Sequence, residues 1–244
     1  MKKTLAILTL IGGIASVSHA QGTFQWGAPS TTFVVQTNTT TYSAFQTSQG
    51  SPAASGTGLA SGSGTFPLYF ALLTSSGLSS LTSVSQLSGT LANAWLDTGL
   101  GMTNTLANNG RLNPNTPSGN AIAANNWASG STQNAIMVGW SANLGTTWAS
   151  ALLKLQNWAS EGSLVSGTAW FGISTVATGV TPSTSNPGTA IFGTGSSQAI
   201  DGSLATGSPL QLRQLFVTSA VPEPATMVLA GLGGLSLLAF RRKK

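Results

Sequence analysis

The sequence predicts a mainly β protein, a single β-sandwich or barrel-like domain with one short amphipathic helix. Short segments of alternating apolar residues, rich in β-branched and aromatic side chains, recur between clusters of Gly, Pro, Asn and Ser. Hydrophobic residues make up 41% of the chain and charged residues only 5%. This composition favours a folded, weakly charged domain, because disorder usually pairs low hydrophobicity with high net charge.

Several segments between the chain ends have the strand pattern. The predicted strands are 23–26, 31–36, 66–74, 135–140, 167–176, 189–193 and 210–217. Pro67 places the third of them at the start or the edge of a sheet, because proline cannot donate to a strand ladder. Polar stretches at 48–65, 178–188 and 193–208 are predicted as loops, and the Asn-rich stretch 103–126 shows little periodicity.

One segment has the helical period instead. Its apolar residues recur on one helical face, and they are Trp148, Ala151, Leu152, Leu155 and Trp158. Thr146 or Thr147 can cap its start and Gly162 can end it. We therefore predict a helix over 148–159 whose apolar stripe packs on the sheet.

The N-terminus has the pattern of a secretory signal peptide. Two lysines precede the apolar run 4–17, and small residues follow it up to Ala20. This order predicts a signal peptide over 1–20 that signal peptidase cleaves between Ala20 and Gln21. An uncleaved membrane anchor is the alternative, but the apolar run is short for that.

The C-terminal segment 221–244 has three parts in order. They are the motif Pro222, Glu223 and Pro224, the apolar stretch 225–240, and the basic cluster Arg241, Arg242, Lys243 and Lys244. Sixteen uncharged residues form a helix of roughly 24 Å, a little short of the ~30 Å hydrocarbon core. Arg241 can extend the span by snorkelling, and the basic cluster would stay on the cytoplasmic side. The sequence thus predicts a transmembrane helix over 225–240.

This tail resembles the PEP-CTERM sorting signal of Gram-negative bacteria. The resemblance implies processing by an exosortase, a membrane protease-transpeptidase, with Pro222, Glu223 and Pro224 as recognition residues. It further implies transient residence in the inner membrane and then export to the cell surface or beyond, often in species that make exopolysaccharide. The chain then divides into a signal peptide, an exported β-rich domain at 21–220 and a sorting signal at 221–244. A plain membrane anchor is the alternative for the tail.

Charge argues against a nucleic-acid partner. The formal charge of +5 resides in the two termini, and the residues between them carry no net charge. The three basic residues Arg111, Lys154 and Arg213 balance the three acidic residues Asp97, Glu161 and Asp201. A DNA or RNA binder needs a basic patch that releases counterions, and this segment lacks the residues to form one.

Few residues of the mature domain suit catalysis. The chain has no Cys, and its one histidine, His19, lies in the predicted signal peptide. Ser-His-Asp triads and most zinc sites need His or Cys. We therefore expect no enzyme activity, no metal and no cofactor. The alternative is a glycosidase built from two of the three acids, which otherwise fit common turn positions.

The seven Trp residues bear on ligand binding. Four lie on strand or helix stripes and are predicted as core, namely Trp140, Trp148, Trp158 and Trp170. Trp95 and Trp127 lie in less patterned segments and are the candidates for stacking on sugar rings. We expect an exported cell-surface or extracellular-matrix protein with a structural or adhesive role and an exopolysaccharide partner. The alternatives are a carbohydrate-binding module with an exposed Trp platform, and a polysaccharide hydrolase.

Overall fold

A computed structural model describes most of the residues between 21 and 215. The described residues are 21–27, 33–42, 58–59, 67–104, 112–116, 119–158, 162–194, 196–203, 208 and 210–215. The predicted signal peptide and the segment 221–244 lie outside them. Among the described residues, no helix is long and apolar enough to cross a membrane.

The described residues form twelve strands, one α-helix and three short 3-10 turns. The strands are β1 Gln21–Trp26, β2 Val35–Tyr42, β3 Gly58–Leu59, β4 Leu68–Ser75, β5 Leu96–Asn104, β6 Leu112–Thr116, β7 Gly119–Ala128, β8 Gln133–Ser141, β9 Trp170–Ile173, β10 Ala177–Val180, β11 Thr189–Ala190 and β12 Leu210–Leu215. The helix is α1 Trp148–Gln156, and the turns are Val84–Leu87, Ala142–Leu144 and Gly162–Leu164. For the described residues, the prediction of a mainly β fold with one short amphipathic helix is confirmed.

Two sheets organise the fold. The large sheet has the strand order β3-β2-β12-β9-β8-β4-β5-β6, with β10 also paired to β8, and it curls into a half-barrel. The small sheet has the order β11-β1-β7. Most neighbours are antiparallel, but β12 pairs in parallel with β2 on one side and antiparallel with β9 on the other. The last described strand therefore lies inside the large sheet, away from its edges.

The large sheet is buried on both faces at its centre. Along β4, Leu68, Phe70 and Leu72 pack towards the small sheet, whereas Ala71 and Leu73 pack towards helix α1. This alternation is the period of two that a pleated strand imposes. We call the first cluster, which includes Phe24, Trp26, Met137 and Leu212, the inner core. We call the second, which includes Ile136, Val138, Trp140, Trp148 and Leu155, the outer core.

Helix α1 covers part of the outer core. The hydroxyl of Thr147 accepts a hydrogen bond from the Ser150 backbone N–H at 3.3 Å, and the Ser150 hydroxyl accepts one from the Thr147 N–H at 3.3 Å. This reciprocal capping satisfies two N–H groups that the first turn leaves without partners. The helix ends at Gln156, earlier than the predicted 159, because Asn157 leaves the helical conformation and caps the carbonyl of Leu153.

The largest difference from the sequence prediction lies in the Asn-rich region. Strand β6, most of β7 and the end of β5 lie within 103–126, a stretch that shows little periodicity in the sequence. Register shifts interrupt the pairing of β5 with β4 and of β7 with β1, so the alternation of apolar residues is broken at each shift. The strands still bury apolar side chains, among them Leu100, Met102, Ala124 and Trp127.

Candidate functional site

A cleft opens on the outer face of the large sheet, beside the start of helix α1. It encloses about 160 Å³ between strands β4, β5 and β8 and the turn that leads into the helix. The side chains that matter below are those of Tyr69, Asp97, Trp140, Thr146 and Trp148. We call this feature the Asp97 cleft.

A bulge in strand β5 positions the carboxyl group. Asp97 pairs with Leu73 and Gly101 pairs with Ala71, so three residues of β5 stand opposite a single residue of β4. The backbone N–H of Gly99 donates to Asp97 Oδ1 at 2.9 Å and thereby holds the side chain over the bulge. Gly99 has a φ of +75°, a conformation that glycine adopts without strain. Bulges often redirect a side chain in this way next to a binding site.

Strand β7 of the small sheet contacts the bulge of β5 through a hydrogen bond to its backbone. The Asn126 Nδ2 donates to the carbonyl oxygen of Asp97 at 2.8 Å. Asn126 has a φ of 59°, a left-handed conformation that Asn adopts more readily than most other residues with a side chain. The Gln133 side chain donates to the Asn126 carbonyl at 3.3 Å and accepts from the Thr74 hydroxyl at 2.6 Å. A hydrogen-bonded network therefore fixes the backbone beneath Asp97.

Stacked aromatic rings form the opposite wall of the cleft. The ring centroids of Tyr69 and Trp140 lie 6.3 Å apart with an interplanar angle of 25°, and those of Trp140 and Trp148 lie 5.4 Å apart. Trp140 donates its indole N–H to the carbonyl of Gly145 at 2.8 Å. Trp140 and Trp148 are buried, whereas Tyr69 is only partly buried. Tyr69 is therefore the aromatic side chain with most access to solvent in this wall.

Burial makes the charged form of Asp97 less favourable than it would be in water. Burial raises the pKa of the Asp97 carboxyl above its ordinary value, and the hydrogen bond from Gly99 lowers it in part. None of the described residues that line the cleft is Lys or Arg. Lys154, which is the only lysine between residues 21 and 220, donates to the carbonyl of Asn143 at 2.8 Å. The negative charge of Asp97 thus has no basic side chain beside it in the cleft lining.

The described acids do not form a carboxylate pair at this cleft. Asp201 lies outside the cleft lining, where its Oδ1 accepts from the Ser203 N–H at 2.9 Å and its backbone N–H donates to Thr175. Glu161 lies outside the described residues. Within the described ranges, no three His, Cys, Asp or Glu residues gather as a metal site would require. The lining of the cleft therefore holds one carboxyl group beside aromatic rings, and this arrangement is suited to binding.

The structure contradicts the predicted surface role of Trp95 and Trp127. Their side chains are 0% and 1% exposed. Trp95 donates its indole N–H to Ser80 at 3.1 Å, and Trp127 donates to Ser131 at 3.0 Å. Each residue therefore buries its ring and still satisfies its polar group on a backbone carbonyl. Turn residues surround both in the sequence, and a periodicity argument therefore does not detect their burial.

The other predicted Trp positions are confirmed as core. Trp140, Trp148 and Trp158 are buried, and Trp170 packs against the inner core while partly buried. Gln21, the predicted first residue after signal cleavage, is exposed at the start of β1 and donates to Asn125 at 3.2 Å. The remaining predicted processing residues lie outside the described residues. They are Ala20, Pro222, Glu223, Pro224, Arg241, Arg242, Lys243 and Lys244.

Sequence reasoning does not find the Asp97 cleft. The residue patterns place Tyr69 in a strand and Asp97 in a turn, and nothing in the chain order brings them together. One signal is present in the stretch "WLDTGLG", where two glycines interrupt an apolar pattern. Glycine inside a strand often marks a bulge, and a bulge is what positions this carboxyl group.

Comparison with known proteins bears on the C-terminal tail. No curated protein and no solved structure matches the chain. The family model of the PEP-CTERM protein-sorting motif matches residues 220–243, a segment that contains Pro222, Glu223 and Pro224. The chain therefore carries a PEP-CTERM protein-sorting motif in its C-terminal tail.

Proposed function

We propose that this chain is an exosortase substrate that is delivered to the cell surface or the extracellular matrix, where its β domain has a structural or adhesive role. The observation that carries the proposal is the sorting motif at residues 220–243, which implies export and passage through the membrane by way of the tail. We further propose that exopolysaccharide is the polymer with which the exported domain associates.

The character of the domain supports a structural role. Six of the seven Trp side chains are buried, so the aromatic residues act mainly in the two cores. The residues between the termini carry no net charge, and a weakly charged surface contacts neutral polymers through hydrogen bonds and aromatic rings. The absence of His and Cys from the mature sequence favours a role without catalysis.

The sorting step can be tested with Glu223→Ala. Exosortase recognition through the motif predicts that this variant accumulates unprocessed in the inner membrane, as measured by fractionation and immunoblotting. Glu161→Ala makes the same substitution outside the motif and should leave processing intact. Normal release of Glu223→Ala would contradict sorting through this motif.

Polysaccharide association can be tested by pull-down. The detergent-solubilised full chain is incubated with a panel of insoluble polysaccharides, both neutral and acidic, and detergent without protein serves as the blank. We expect retention on at least one polymer and release by the matching soluble oligosaccharide. A chain that is retained on none of them would refute the association.

A further inference from the structure

We propose that the Asp97 cleft binds one neutral pyranose ring of a polysaccharide, with Tyr69 stacking on the ring and Asp97 accepting hydrogen bonds from its hydroxyl groups. The proposal rests on the polysaccharide association proposed above, and it names the site and the ligand class. It differs from the Trp platform that the sequence left as an alternative, because Trp95 and Trp127 are buried.

The size of the cleft sets the size of the ligand. Its volume of about 160 Å³ is below the ~300–1,000 Å³ of pockets that enclose drug-sized molecules. A cleft of this size accommodates a single sugar ring. The rest of the polymer would then extend over the surface outside it.

The aromatic wall suits one face of a sugar ring. A pyranose presents C–H groups on its face, and the negative face of an aromatic ring attracts them. Tyr69 already stacks on Trp140, which is held in turn by Trp148 and by its hydrogen bond to Gly145. Because this stack is formed before binding, little side-chain entropy is lost when a ring is placed on it.

The polar wall suits the hydroxyl groups of the ring. The carboxyl group of Asp97 is held by Gly99, and hydrogen bonds to a charged acceptor are roughly twice as strong as neutral ones. Thr146 adds an exposed hydroxyl-bearing side chain at the rim. Gly99 and Gly101 line the cleft without side chains, so a ligand can approach the backbone closely.

Charge in the cleft selects against acidic polymers. A carboxylate that lacks a basic neighbour in the cleft lining repels a uronate group, and partial burial strengthens the repulsion. A neutral ring avoids that repulsion and can still donate its hydroxyl protons to Asp97.

The test uses the detergent-solubilised full chain and measures its affinity for soluble neutral oligosaccharides by calorimetry. We expect Tyr69→Ala to bind about tenfold more weakly because the stacking ring is lost. Tyr69→Phe keeps the ring and should bind nearly as wild type. Asp97→Asn should weaken binding because the charged acceptor is lost, whereas the same substitution at Asp201 should leave binding unchanged.

Thr146→Arg gives an independent test, because a long side chain at the exposed rim fills the cleft without removing a core contact. We expect it to abolish binding while the thermal unfolding of the chain stays close to that of the wild type.

If wild type binds and Tyr69→Ala, Asp97→Asn and Thr146→Arg bind equally well, the site is overturned while the association stands. If wild type binds no neutral sugar, the cleft proposal is overturned, whereas the association is overturned only if the chain is also retained on no polysaccharide in the pull-down. A preference for uronate polymers would overturn the neutral ligand.

Discussion

The two faces of the large sheet are packed to different degrees. On the inner face, buried side chains of both sheets such as Phe24 and Phe70 share one cluster, and a Cβ at Gly139 would lie 2.6 Å from a ring carbon of Phe70. On the outer face, helix α1 has only nine residues and leaves Tyr69 and Asp97 partly exposed beside it. The inner face therefore contributes stability, while the incompletely covered outer face leaves space for a ligand.

The largest expected effect compares two neighbouring residues of β4. Phe70 is 1% exposed in the inner core, so Phe70→Ala should lower the free energy of unfolding by about 3–5 kcal/mol. Tyr69→Ala, on the outer face, should cost clearly less because Tyr69 is only partly buried. Chemical denaturation measures both. Equal losses would show that the two faces are packed alike.

A smaller effect is expected from adding one methyl group to the inner face. Gly139→Ala places a Cβ against Phe70 and Leu212, at 2.6 Å and 2.9 Å. Overpacking of this kind costs about 1–3 kcal/mol. Gly27→Ala is the matched control, because its Cβ would meet nothing within 4 Å. A Gly139→Ala variant as stable as Gly27→Ala would mean that the inner core can expand without cost.

The smallest effect concerns the pH dependence of stability at the cleft. Burial raises the pKa of Asp97 in the folded state, so the folded chain binds this proton more readily than the unfolded chain. The contribution of Asp97 to stability is therefore greatest in acid and is lost as the pH rises through the raised pKa. Asp97→Asn keeps an acceptor for Gly99 and avoids burying a charge.

We therefore expect Asp97→Asn to be slightly more stable than wild type at neutral pH, with the difference shrinking as the pH falls. Thermal unfolding at several pH values measures this. Asp201→Asn controls for the loss of one negative charge from the chain. A variant that is less stable than wild type at neutral pH would contradict the burial cost assigned to Asp97.

The elements whose apolar residues recur at a regular spacing can be predicted from the sequence. The alternation in 66–74 locates β4, and the helical stripe that begins at Trp148 locates α1, because both elements bury a continuous face. Strands β5 and β7 escape prediction because bulges shift their register, so their apolar residues do not alternate. Sequence patterns detect regular burial, but they fail after a bulge, because the extra residue changes the face of the sheet on which the following side chains lie.

The sorting motif and the Asp97 cleft also differ in how far the sequence alone reveals them. The sorting motif is a short linear pattern, so the residue order alone is enough to recognise Pro222, Glu223 and Pro224. The Asp97 cleft depends on contacts between strands that are distant in the chain, with Tyr69 from β4, Asp97 from β5 and Trp148 from α1. Only the folded arrangement brings these residues together.

The position of β12 has a mechanical consequence. This strand is the last one described before the C-terminal tail, and it is hydrogen-bonded to β2 on one side and to β9 on the other. A pull on the tail would reach the domain through a strand with two neighbours, so both ladders would share the load. A domain held by this end would therefore be loaded through an interior strand and not through an edge strand.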